Sequence, residues 1–213
     1  MTATAIKPSG PIKLGLDFDN TIVCYDAAIA VLAEEMFDLP PEVPRTKLGL
    51  RDYLRAEGRE PEWTVFQGEL YGPGMRHAQP FEGAIETMLQ LVAAGHELVI
   101  VSHRSRLPYA GELHDLHAAA RGWVTERLQS TGLFVADNDS VNFLETRQQK
   151  IACIAEISCK VFLDDLPEVL EDPEFPSGTT GILFQPECKV NQEKNQPHIC
   201  TWNQLPELIE KLP

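Results

Sequence analysis

Two aspartates one residue apart close an apolar run at Leu16-Asp17-Phe18-Asp19-Asn20-Thr21, and two adjacent aspartates close another at Val161-Phe162-Leu163-Asp164-Asp165. Like charges at close range raise each other's energy, so acids gathered at a strand end call for a compensating charge. Hard oxygen ligands suit Mg²⁺, which takes one or two carboxylates with waters and phosphate oxygens. For the first segment taken alone, the plain alternative is a solvated turn rich in Asp and Asn. Ser102 ends the run Val99-Ile100-Val101; its hydroxyl, followed by free amides of His103 and Arg104, can hold phosphate oxygens. Lys150 opens a stretch of helical period, where the macrodipole prefers acids, so its presence there calls for a local reason. Arg147, three residues earlier, shares that helix face and is the alternative cation.

These residues need a scaffold that brings strand ends together. Apolar runs suited to buried strands recur at Ile12–Asp17, Leu98–Ser102, Val141–Leu144, Lys160–Asp164 and Gly181–Phe184. Helical patterns lie between the later ones: Ala84, Ile85, Met88, Leu89 and Val92; Leu113, Leu116, Ala120, Val124 and Leu128; and Ile151, Ile154 and Ala155. Strands alternating with helices predict a parallel sheet covered on both faces, with ligands at the carboxyl ends of its strands. The stretch from Cys24 to Pro80 is too long for one crossover and carries its own helical patterns at Ala28–Phe37, Thr46–Glu57 and Trp63–Leu70. We expect a doubly wound α/β core over residues 11–23 and 80–213, with a small α-helical cap over 24–79. A closing helix is expected from Trp202 to Leu212, capped by Thr201.

The order of acid pair, Ser, Lys and acid pair resembles the four motifs of the haloacid dehalogenase-like superfamily of phosphohydrolases. The resemblance spans Ile12 to Phe184. Its most specific part is Asp17-Phe18-Asp19-Asn20-Thr21, similar to the family's Asp-x-Asp-x-Thr signature. Pro80-Phe81-Glu82-Gly83-Ala84 is similar to the return from a helical cap into the core. The resemblance implies a Rossmann-like sheet with its first strand in the centre. It also implies a Mg²⁺-dependent phosphatase that hydrolyses a small phosphate monoester through an aspartyl-phosphate. Asp17 would be the nucleophile and Asp19 the acid and base; Thr21 would brace the loop. Ser102, His103 and Lys150 would bind phosphate. The metal would be held by Asp17, the Asp19 carbonyl and Asp164, with Asp165 helping; which of the adjacent acids binds directly stays open. A phosphomutase of the same superfamily and a non-catalytic binding module are the alternatives.

Substrate contacts are read at Arg104, Arg51 and Tyr71, with Tyr25, Arg55, Trp63 and Arg76 as further cap candidates and Gly72-Pro73-Gly74 shaping the pocket mouth. His103 and Arg104 are equally a structural pair. His114 and His117 are read as helix-packing or solvated, and Cys24 as packing or pocket lining. The small cap and acidic chain favour a sugar-like phosphate. A net charge of −14 argues against a nucleic-acid surface, which needs an excess of Lys and Arg. No apolar run approaches the roughly 20 residues of a membrane span. The polar start, Met1 to Pro11, reads as a disordered lead-in without a secretion signal, so the expected location is cytoplasmic. Five irregularly spaced cysteines exclude a disulfide scaffold or zinc ribbon; Cys188, His198 and Cys200, the nearest approach to a metal cluster, read as a loop with reduced thiols.

Overall fold

The computed structural model describes residues 10–134, 139–186 and 196–212. Six strands form one parallel sheet in the order β5-β4-β1-β6-β7-β8. They are β1 (Lys13–Leu16), β4 (Glu97–His103), β5 (Val141–Leu144), β6 (Val161–Asp164), β7 (Thr180–Phe184) and β8 (His198–Ile199). Five of the six coincide with the apolar runs, and β1 is interior, between β4 and β6, as expected. β8 was not foreseen; it is only two residues long.

Side chains alternate between two cores, as the two-residue period of a strand requires. Leu98 and Ile100 of β4, with Val161 and Leu163 of β6, join one cluster; Val99, Val101 and Phe162 join the other. The first face is covered by α4 (Ala84–Ala93), α5 (Leu116–Arg127) and α8 (Leu205–Glu210). The second is covered by α6 (Arg147–Ile157) and α7 (Pro167–Leu170). Gly15 lets the Phe162 ring lie on β1: a Cβ there would come within 2.3 Å of the ring. The closing helix begins with a short 3-10 turn, Trp202–Gln204, and Thr201 caps it in a box with Gln204.

Between β1 and β4 the chain leaves the sheet through a two-stranded antiparallel ribbon, β2 (Val23–Cys24) with β3 (Gln79–Pro80). Inside the ribbon run α1 (Asp26–Met36), α2 (Lys47–Ala56), α3 (Glu60–Tyr71) and a 3-10 turn over Pro73–His77. The three helices match the periodic stretches; the ribbon strands are too short to leave a pattern. Thr46 caps α2 by accepting from the Gly49 amide. Gly74 packs beneath α1, where a Cβ would meet Leu32 at 2.5 Å, so this glycine-rich turn serves packing. Most of the expected lead-in, and Cys188, lie outside the described residues. Cys200 is disulfide-bonded, against the expectation of reduced thiols there; Cys24, Cys153 and Cys159 are free.

Candidate active site

The chain turns sharply as it leaves β1. Asp17 still belongs to the sheet, its amide donating to the Leu163 carbonyl at 2.8 Å. Asn20 takes a left-handed conformation (φ 56°), which Asn tolerates better than most residues, and the amides of Ile22 and Val23 both return to the Phe18 carbonyl. The turn thereby sets Asp17 and Asp19 at the carboxyl end of the interior strand. Thr21 is fully buried, but its hydroxyl has no hydrogen-bond partner. The Thr21 carbonyl, accepting from the Trp202 indole at 3.0 Å, is what ties this loop down.

Lys150 reaches this strand end from α6. Thr146 and Gln149 form a capping box that starts the helix, which aims Lys150 inward on its first turn. Its Nζ lies 2.6 Å from Asp17 Oδ1 and 2.6 Å from Asp164 Oδ2. Burial pulls the ammonium down, but the fields of Asp17 and Asp164 outweigh it and keep Lys150 charged, well above the usual lysine range. Arg147 instead faces Asp172 at 3.6 Å, which decides between the two cations. Asp164 also accepts from the Leu166 amide at 3.0 Å. Burial, opposed by Lys150 and reinforced by Asp17, lifts Asp164 to about 7; burial with Asp17 and Asp164 lifts Asp165 to about 8. Asp17, Asp164 and Asp165 each offer a carboxylate oxygen within 4.8 Å of the others. Three hard oxygens, two of them on acids whose burial favours the protonated form, suit a small divalent cation. Both acids after β6 belong to this cluster.

At the end of β4, Ser102 is buried beside Phe143 of β5. His103 is half-buried and its Nδ1 has no hydrogen-bond partner; burial, then Lys150, lowers its pKa. The Arg104 amide, expected to be free for phosphate, instead donates to the Leu144 carbonyl at 2.9 Å. Its guanidinium turns back to Asp19, with Nε 3.2 Å from Oδ2 and Nη2 on Oδ1. The Tyr25 hydroxyl also donates to Asp19 Oδ1, and Arg104 Nη2 donates to Tyr25 at 2.9 Å. Nη1 donates to the Leu116 carbonyl at 3.2 Å, and the rings of Phe18, Tyr71 and Phe143 surround the guanidinium at 5.4, 5.5 and 5.8 Å. Arg104 therefore spends its charge on Asp19.

A cavity of about 390 Å³ opens above these residues, lined by Asp19, His103, Arg104, Lys47, Tyr71 and Tyr109 among others. Tyr71, expected to contact substrate, is among the lining residues. Arg51 does not line the cavity; it pairs with its neighbour Asp52 at 2.8 Å. Arg55 pairs with Glu60, Trp63 stacks on Phe66 in the core, and Arg76 bonds His77. His117 Nε2 donates to the Arg104 carbonyl at 2.9 Å. His114 precedes α5 rather than lying on it and faces Glu69 at 3.0 Å. Lys47 was missed. It opens α2, sits over the Tyr71 ring at 5.9 Å, and its ammonium is raised despite burial by Tyr71, Asp19 and Asp165. Its signal was the same as that of Lys150, a lysine at a capped helix start.

No family model matches the chain. The chain has the fold of the haloacid dehalogenase-like superfamily hydrolases, the superfamily whose four motifs it resembles. A "predicted phosphatase" from Clostridium acetobutylicum superposes with a TM-score of 0.61 at 15% identity, covering 96% of this chain and 100% of that one. A HAD-superfamily hydrolase from Ehrlichia chaffeensis gives 0.58 at 14%, covering 95% and 98%. The HAD-hydrolase YfnB from Bacillus subtilis, bound to magnesium, gives 0.56 at 15%, covering 94% and 99%. By sequence, a Bacillus cereus protein named "Putative nucleotidase" is 25% identical over 213 residues, covering 94% of this chain and 99% of its own.

Proposed function

We propose that this protein is a Mg²⁺-dependent phosphatase that hydrolyses a small phosphate monoester through an aspartyl-phosphate on Asp17. The observation that carries the reading is Lys150 bridging Asp17 and Asp164 at 2.6 Å each, beside Asp165, at the carboxyl end of an interior strand. Residues 24–79 act as the cap, and residues 11–23 with 80–213 as the core.

Lys150 holds one oxygen of the buried Asp17 carboxylate, at the strand end below the cavity-lining Asp19 and His103. The free oxygen of Asp17 attacks phosphorus as the bond to the leaving oxygen breaks. Ser102 and the orphaned face of His103 donate to the equatorial oxygens, while Lys150 balances the charge of nucleophile and phosphate. Asp19 gives its proton to the departing alcohol, then takes one from the water that opens the acyl phosphate. Mg²⁺ held by Asp17, Asp164 and Asp165 would supply charge neutralisation for the meeting of carboxylate and phosphate.

A sugar-like phosphate fits the small cavity. The Bacillus cereus relative's name favours a second substrate reading, a nucleoside monophosphate, with Tyr71 and Tyr109 as the aromatic walls. The test is phosphate release across a panel of sugar phosphates and nucleotides, with Mg²⁺ and with chelator, using Asp17→Asn as the blank. Turnover that survives Asp17→Asn refutes the nucleophile, and isomerised rather than hydrolysed product from a sugar phosphate favours a mutase.

A further inference from the structure

The Asp19 carboxylate is held asymmetrically. Oδ1 takes two donors, Arg104 Nη2 and the Tyr25 hydroxyl; Oδ2 takes one, Arg104 Nε at 3.2 Å. Both anchors are themselves enclosed and bonded. Arg104 and Tyr25 are buried, joined to each other at 2.9 Å, and Arg104 is fixed further by the Leu116 carbonyl and three aromatic rings. A guanidinium offers its donors in a rigid fork, so it fixes the plane of a carboxylate as well as its position. The two anchors also come from different parts of the chain: Arg104 follows β4, and Tyr25 immediately precedes α1.

We propose that Arg104, assisted by Tyr25, is a positioning residue for Asp19: its fork fixes the plane of the carboxyl group, and Oδ2, which has one donor where Oδ1 has two, is the oxygen that carries the transferring proton. The inference rests on the phosphatase reading, in which Asp19 is the acid. As the phosphorus–oxygen bond breaks, its electron pair stays on the leaving oxygen. That oxygen takes the proton that Oδ2 has first picked up from water, and the carboxylate is restored to its ion pair with Arg104. Without the fork the carboxyl group rotates freely and seldom meets the leaving oxygen, although the nucleophile and the phosphate site are untouched.

The experiment compares para-nitrophenyl phosphate, whose leaving group needs no proton, with glycerol phosphate, whose alkoxide does. kcat/KM is measured because it reports the steps through phosphorylation of Asp17. The variants are Arg104→Met, Arg104→Lys and Tyr25→Phe, with Asp19→Ala as the benchmark. General acid catalysis contributes about 10²–10⁴-fold, so Arg104→Met should lose about 10-fold or more on glycerol phosphate and less than about 3-fold on the aryl ester. Arg104→Lys should recover only part, since an ammonium has no fork, and Tyr25→Phe should show the same selectivity in weaker form. Tyr25→Phe removes one oxygen from a buried ring and keeps the test alive if Arg104→Met does not fold. Equal losses on both esters, a change confined to KM, or an unchanged or raised rate on glycerol phosphate would each overturn the proposal while sparing the phosphatase reading. No phosphate release from either ester by the unaltered protein overturns both.

Discussion

Replacing Lys150 with Met tests the centre of the site through stability, without any assumption about substrate. The side chain is 1% exposed and its ammonium lies 2.6 Å from two carboxylates that are themselves buried. Met nearly preserves the length of the chain, so little cavity is made. What remains is an acid cluster with no cation. Breaking a buried ion pair from one side costs about 3–5 kcal/mol because the stranded charge stays desolvated. In a protein of this size each kcal/mol moves the midpoint by about 2–4 °C, so the loss is about 6–20 °C. The pH dependence fixes the cause. Asp164 and Asp165 bind protons more tightly folded than unfolded, with pKa values lifted from 3.8 to about 7 and about 8. Between those limits the folded state carries more protons, and stability falls as pH rises. Removing Lys150 takes away an influence that lowers both acids, so the deficit of the variant should be larger near pH 8 than near pH 5, where the loss of the Asp17 partner remains. Thermal and denaturant unfolding in chelator at both pH values measures it. A deficit below about 1 kcal/mol at pH 8, or one larger at pH 5, refutes the reasoning.

Asp17→Asn should abolish turnover and leave the circular dichroism spectrum unchanged, since an amide fills the same space; retained hydrolysis in a phosphate-release assay would disprove the nucleophile. Asp19→Ala should lower kcat on alkyl esters by about 10²–10⁴-fold, read in the same assay. Chelator should stop phosphate release reversibly and added Mg²⁺ should restore it; moreover, inorganic phosphate should raise the unfolding midpoint only when Mg²⁺ is present, which a thermal shift experiment decides. Lys47→Met should raise KM with little change in kcat, whereas Arg51→Ala should change neither, because only the former lines the cavity.

The sheet and its acids were legible because they obey short-range rules. A strand buried on both faces must be a continuous apolar run, and an acid that ends such a run is out of place unless it has work to do. Asp17, Asp164 and Asp165 could be found that way, and Lys150 by its place on the first turn of a helix. The Arg104–Asp19 pair could not, since 85 residues separate the partners and nothing local distinguishes an arginine aimed inward from one in water. Arg51 shows the same limit from the other side: it has the right type and the right cap helix, yet it lies one turn beyond Lys47 and pairs with Asp52, while Lys47 lines the cavity. The β2–β3 ribbon escaped notice because two residues are too few to show a period.

The charges of the site explain why so many cations were needed and why they do not suffice. Asp17, Asp19, Asp164 and Asp165 face Lys150, Arg104 and Lys47, four acids against three bases when all are ionised. Arg104 is committed to Asp19 and Lys150 is shared by Asp17 and Asp164, so Asp165 is left with only distant compensation. A phosphate dianion arriving there meets an excess of its own sign in a poorly solvated pocket, where repulsion is strongest. The protein can relieve this by taking up protons, as the raised acids indicate, but a protonated Asp164 or Asp165 is a poor ligand. Asp17, Asp164 and Asp165 would hold a divalent cation in their ionised forms, which would relieve the repulsion without protonating them. On the proposed reading, the acid cluster that weakens the fold at high pH is also the one that a dication would hold together when a phosphate arrives.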